Sequence, residues 1–164
     1  MNCNEGIDGL CDSDMKEGIR KVLRIIADIA KYVLIGGICG VALNLLIMHS
    51  PIPRMFPVYT ESFVGKLYSI DIISGFFLYC LVAPVLEELI FRIGIYGFLY
   101  KRLGFAVSAI MSSGLFAVYH MNMVQGIYAF IMGMLFCTLY HRDHRIPVPI
   151  LLHAGANLAV WLLC

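Results

Sequence analysis

Charge is scarce in this sequence. Asp, Glu, Lys and Arg make up 14% of its 164 residues against 60% apolar ones, and the formal net charge is +1. A soluble domain carries about 25% charged residues, so this composition, with a mean hydropathy of +0.84, is that of a membrane protein. Near-neutral charge, and the lack of a glycine-rich phosphate loop, an RNA-binding signature or a zinc-ribbon spacing, leave no argument for a nucleic-acid partner. The six cysteines, Cys3, Cys11, Cys39, Cys80, Cys137 and Cys164, show no paired spacing that would mark a disulfide framework or metal cluster, and they read as reduced and structural. The polar, acidic start, Met1 to Asp14, has no basic region followed by an apolar core, so no cleavable signal peptide is expected and these residues read as a short disordered lead.

What is there is a succession of apolar runs. From Met15, Ile19, Val22, Leu23, Ile26, Ile29 and Ala30 recur at helical spacing against Lys16, Arg20, Lys21, Arg24 and Lys31, the pattern of a basic amphipathic helix at the membrane surface or of the overhang of the first span. Residues 1–31 therefore form a polar lead and interfacial helix, and 32–164 a transmembrane domain with its core at 70–164. Tyr32 to Met48, at ~25 Å, is marginally short for a hydrocarbon core of ~30 Å. His49 to Ser69, with Pro51, Pro53 and Pro57, reads as an extramembrane loop. Ile70 to Tyr100 is either two spans broken at Pro84 or one helix kinked there, with the Cys80 carbonyl freed by the missing N–H. The basic N-terminus, Lys101-Arg102 and Arg142/Arg145 fall on one side only if this stretch crosses once. The expectation is thus an all-α, polytopic membrane helical bundle of about five spans, continuing with Phe105 to Met121, Val124 to Tyr140 and Pro147 to Leu163, its N-terminus cytoplasmic. In that scheme Glu87 and His120 lie roughly two helical turns deeper than His153.

Inside these runs the few polar residues carry the functional argument. Glu87, Glu88 and Arg92 fall within six residues of an apolar stretch, and each charge at mid-bilayer depth costs ~2.5–3.5 kcal/mol, so they must pair or face a polar cavity. Glu88 and Arg92, four apart, share a helix face. Glu87 is turned ~100° away and needs a partner from elsewhere. His120 on the third span, and His153 with Asn157 one turn on along the fifth, are the remaining candidates. A water held between a carboxylate and an imidazole in a dry pocket can be deprotonated, and a second His with an Asn could donate to the oxyanion of a tetrahedral intermediate. The same Glu87, His120 and His153 could equally bind zinc with an open position for water; the helical His-Glu-x-x-His pattern is absent, and the residues do not choose between zinc and no metal. Ser113 and Cys80 stand seven residues before His120 and Glu87, but a serine packed between helices and an inert buried thiol account for both.

Glu87-Glu88-x-x-x-Arg92 in its Ala-Pro-x-x-Glu-Glu-x-x-Phe-Arg context, Phe116-x-x-x-His120 and His153-x-x-x-Asn157, in this order on successive apolar helices, resemble the CAAX protease and bacteriocin-processing family, also called Abi, which includes the type II CAAX prenyl endopeptidases. The resemblance covers about Ile70 to Cys164. It departs at Ile93-Gly94, where the family usually has a glycine directly after the arginine. It implies an intramembrane endopeptidase in which Glu87 is the general base with His120 as partner, His153 and Asn157 stabilise the oxyanion, and Glu88 and Arg92 support. It further implies a peptide or protein substrate and residence in a lipid bilayer, here a prokaryotic plasma membrane, in peptide maturation, CAAX-type processing or bacteriocin processing. The alternative is a non-catalytic immunity or scaffold protein of the same family.

Overall fold

The computed structural model describes residues 4–56 and 71–163, with side chains from Met15 onward. Among these residues every element is helical. The chain divides into two compact units, Met1–Lys31 and Tyr32–Cys164. Helix α1 runs Asn4–Met48, so it begins well before the expected Met15; no proline interrupts 4–48. In the first unit, Lys21 pairs with Glu17 one turn back at 3.1 Å, and Ile19, Val22, Leu23 and Ile26 are exposed. The single turn α2, Ile52–Met55, follows. Most of the expected loop, residues 57–69, lies outside the described residues.

In the second unit a long helical stretch, Ile72–Tyr119, starts at Asp71, whose side chain accepts from the Ser74 N–H at 3.0 Å. That bond holds the Asp71 carboxyl below the ordinary aspartate range. The stretch is divided by Gly104, with φ 72° and ψ −178°, a conformation open essentially to glycine alone. The chain doubles back there: Ser112 Oγ donates to the Phe91 carbonyl at 2.6 Å, and the Phe91 and Phe116 rings meet at 5.0 Å. The two arms are α3 (72–103) and α4 (105–119). Helices α5, Met123–Asp143, and α6, Pro147–Leu163, complete the bundle. Ile72–Tyr119, Met123–Asp143 and a segment of α1, Met15–Met48, are long and apolar enough to cross a membrane, and α6 is a shorter apolar helix.

Small residues set how closely α1 and α6 approach. A side chain at Gly36 would strike the Leu152 backbone, one at Gly155 the Val33 backbone, and one at Gly40 would lie 2.9 Å from the Ala156 Cβ and the Tyr128 hydroxyl. Close backbone approach through small residues is how apolar helices associate where no hydrophobic force drives them together. Tyr32, Met132, Phe136, Val148 and Leu152 form the core around this contact. At one end of the bundle Tyr32 hydrogen-bonds Asp143, Arg145 Nη2 donates to Tyr32 at 3.3 Å, and the Tyr96 hydroxyl lies 3.1 Å from His141 Nδ1. The outer faces are apolar, with Leu86 and Ile90 more than half exposed, while Glu88 and Arg92 are buried. Polar inside and apolar outside defines a helical membrane bundle.

Gly104→Ala is expected to lower stability by about 1–3 kcal/mol through backbone strain alone, because no atom of the described residues lies within 4 Å of the added methyl. Gly114 has equally open surroundings and helical geometry, so Gly114→Ala should shift unfolding in detergent by under about 1 kcal/mol, in the stabilising direction. Equal losses at the two positions would rule out the left-handed turn.

Candidate active site

The helix that carries the acids is not kinked at Pro84 in the expected way. Over Phe76–Val82 it widens to a π-helix, in which the Ala83 N–H bonds the Leu78 carbonyl, five residues back. Ala83–Glu88 is α-helical with Pro84 in its first turn, where a missing N–H is tolerated, and Leu89–Tyr96 is π-helical again. In the wide register the carbonyl deprived of a donor by Pro84 is that of Tyr79, not Cys80, and Asn157 Nδ2 on α6 donates to it at 2.8 Å.

Glu88 and Arg92 are 1% and 0% exposed. Arg92 Nε lies 2.9 Å from Glu88 Oε2, an ion pair whose N–H does not point along the contact, and among the described residues Nη1 and Nη2 have no hydrogen-bond partner. The guanidinium is held instead over Phe116 at 4.8 Å and Phe136 at 5.5 Å, and Gly133 leaves room for it, since a Cβ there would stand 3.3 Å from Nη2. The other oxygen of Glu88 does what the spacing could not reveal: Oε1 lies 3.0 Å from His153 Nδ1. A carboxylate facing Nδ1 makes that nitrogen the donor and fixes the ring, which is also stacked on Phe136 at 5.2 Å. His153 Nε2 is then turned to Glu87, 3.6 Å from Oε2, too long for a direct hydrogen bond.

His120 closes α4. Its Nδ1 lies 2.8 Å from the Phe116 carbonyl, so Nδ1 carries the hydrogen and the neutral ring presents Nε2 as an acceptor. Glu87, His120, His153 and Asn157, from three helices, line a single cavity of about 300 Å³. Gln125 and Tyr128 of α5 line it too; they escaped the sequence reading, although two polar groups three apart at the start of an apolar helix are a usable signal. Ser113 and Cys80 do not line it, and Ser113 Oγ faces the Cys137 sulfur at 4.0 Å. Among the described residues no three His, Cys, Asp or Glu side chains are grouped to hold a metal ion. The Nδ1 partners, Glu88 for His153 and the Phe116 carbonyl for His120, are those that orient a metal-ligating histidine as well as a hydrogen-bonding one.

Fold and site together define an integral membrane protein built around a buried carboxylate–imidazole centre. The chain belongs to the Rce1-like family of type II CAAX prenyl endopeptidases, whose pattern matches residues 69–159, within the CAAX protease and bacteriocin-processing group. It is 39% identical over 80 residues to a Bacillus subtilis (strain 168) protein named "Putative membrane peptidase YdiL", a match covering 49% of this chain and 33% of that protein. The chain thus spans about a third of the length of that curated relative. No solved structure matches.

Arg92→Met leaves Glu88 as a buried charge facing only His153, and should cost about 3–5 kcal/mol of stability. Adding Glu88→Gln should recover most of that loss in detergent unfolding. A double variant no more stable than Arg92→Met would show that the ion pair does not hold the site together.

Proposed function

We propose that this protein is an intramembrane endopeptidase that hydrolyses a peptide bond with a water activated by Glu87. The observation that carries this reading is the meeting of Glu87 and the two imidazoles on one small cavity, with His153 Nε2 only 3.6 Å from Glu87. A water placed ~2.8 Å from each of those atoms fits this separation. Glu87 takes its proton as the hydroxide adds to the scissile carbonyl, then returns that proton to the leaving amine. His120 Nε2, an acceptor while Nδ1 serves Phe116, holds the water's second hydrogen. The oxyanion is met by a hydrogen on His153 Nε2, with Glu88 on Nδ1 orienting the ring. Glu88 and Arg92 orient His153 and do not touch substrate.

The substrate is a peptide or protein, with CAAX-type, leader or bacteriocin processing as the roles the family suggests. The Lys and Arg residues at 16–31, 101–102 and 142–145, read by the positive-inside rule, support a cytoplasmic N-terminus in a prokaryotic plasma membrane.

In a detergent assay with a panel of family peptide substrates, Glu87→Gln, His120→Ala and His153→Ala should each lower the rate by about 10²–10⁴-fold while the unfolding midpoint of Glu87→Gln stays near that of the wild type. Full turnover by Glu87→Gln would reject the mechanism. Protection of a host by the Glu87→Gln protein, without cleavage by the wild type, would favour the immunity or scaffold reading.

A further inference from the structure

Two features of α3 coincide one turn before Glu87: a proline that cannot donate, and a wide turn that shifts the orphaned carbonyl to Tyr79. In hydrocarbon an unpaired carbonyl costs several kcal/mol, and among the described residues this one is met by a side chain from α6, Asn157 Nδ2 at 2.8 Å. Two other contacts join the same pair of segments. The Trp161 ring lies 5.9 Å from that of Tyr79, and a Cβ on Gly75 would collide with Trp161, so the indole sits directly on the backbone of α3. The last helix thus grips the chain just before the turn bearing Glu87, while its His153, one turn from Asn157, faces Glu87 itself.

We propose that Asn157 is a positioning residue: by completing the Tyr79 carbonyl it holds the π-register that aims Glu87 at His153 Nε2. This rests on the peptidase reading for its activity arm but not for its stability arm. The link is specific. Pro84 creates the need that Asn157 meets, so a backbone N–H restored at residue 84 should make Asn157 dispensable, whether the segment keeps its wide turn or tightens so that the Ala83 N–H serves Tyr79.

The test is a double-variant cycle on the full chain in detergent with Asn157→Ala, Pro84→Ala and the pair. In the Pro84 protein, Asn157→Ala should lower the unfolding midpoint, and in the Pro84→Ala protein it should lower it by less than half as much. Equal shifts in both backgrounds overturn the proposal, whether or not any variant cleaves peptide. For activity, rates are taken per folded molecule well below the unfolding transition, so loss of folded protein does not count. Asn157→Ala should lower kcat by about 10²-fold, the scale of a ~1 Å misplacement, with KM little changed, and Pro84→Ala should restore at least about tenfold of it. An active Pro84→Ala enzyme whose double variant remains as slow as Asn157→Ala would assign Asn157 to the oxyanion and sink the positioning role. A wild type that cleaves nothing defeats the peptidase reading instead, and leaves the unfolding cycle to decide on the Tyr79 link.

Discussion

Glu88 is the carboxylate on which the rest of the site depends. It is buried in a bundle whose outside is apolar, it touches Arg92 with one oxygen and His153 with the other, and so it joins α3 to α6 through charge. Such a group is expensive to bury and more expensive to strand, because removal of one partner leaves the other unpaired in low dielectric. Its effect is geometric. With Nδ1 of His153 committed, only Nε2 is left for the cavity, and the ring cannot turn without breaking the contact to Glu88 and the stack on Phe136. An acid that would be unremarkable at a protein surface becomes, at this depth, the element that decides which imidazole nitrogen faces Glu87.

Glycine and proline do the complementary work on the backbone. Gly104 turns α3 back on itself as α4, which puts Phe116 beside Phe91 and carries His120 to the cavity. Gly36 and Gly155 allow α1 and α6 to touch backbone to backbone, so the helix carrying His153 and Asn157 is braced from behind. Gly133 makes room for Arg92. Pro84 leaves a carbonyl without its N–H donor ahead of Glu87. Each position owes its effect to an atom that is missing, a Cβ or an N–H, and the charged cluster sits in the space these omissions open.

What the sequence made legible follows from the same physics. Hydrocarbon makes every charge conspicuous, so Glu87, Glu88, Arg92, His120, His153 and Asn157 stood out, and the four-residue spacing of Glu88 and Arg92 was enough to pair them. Periodicity placed α6 at Pro147–Leu163 and the neighbouring helices within a few residues. The Glu88–His153 contact was hidden because it joins residues 65 apart, and Arg92 had already accounted for Glu88. The Tyr79 carbonyl was hidden because a backbone acceptor has no letter of its own, and because the expected α-register pointed one residue too far, to Cys80. The small residues between His153 and Asn157 announced a close neighbour, but not that it would be Val33 of α1.

The depth mismatch between Glu87 and His153 resolves through the hairpin. Counted from the basic loops, Glu87 lies 14 residues from Lys101 and His153 only 8 from Arg145, which seemed to set them about two turns apart. Lys101 is not the reference point, however: His141 near the end of α5 is met by the Tyr96 hydroxyl at 3.1 Å and by the Tyr100 and Phe105 rings at 5.1 and 4.7 Å, so the count to the glutamates starts as early as Tyr96. Measured from Tyr96, Glu88 is eight residues in, and His153 is five past the buried start of α6 at Val148; side chains several ångströms long close the rest. The ring cluster around His141 thus sets Tyr96 against the end of α5, and it is this register, five residues short of Lys101, that lets a deep glutamate and a shallow histidine share one cavity.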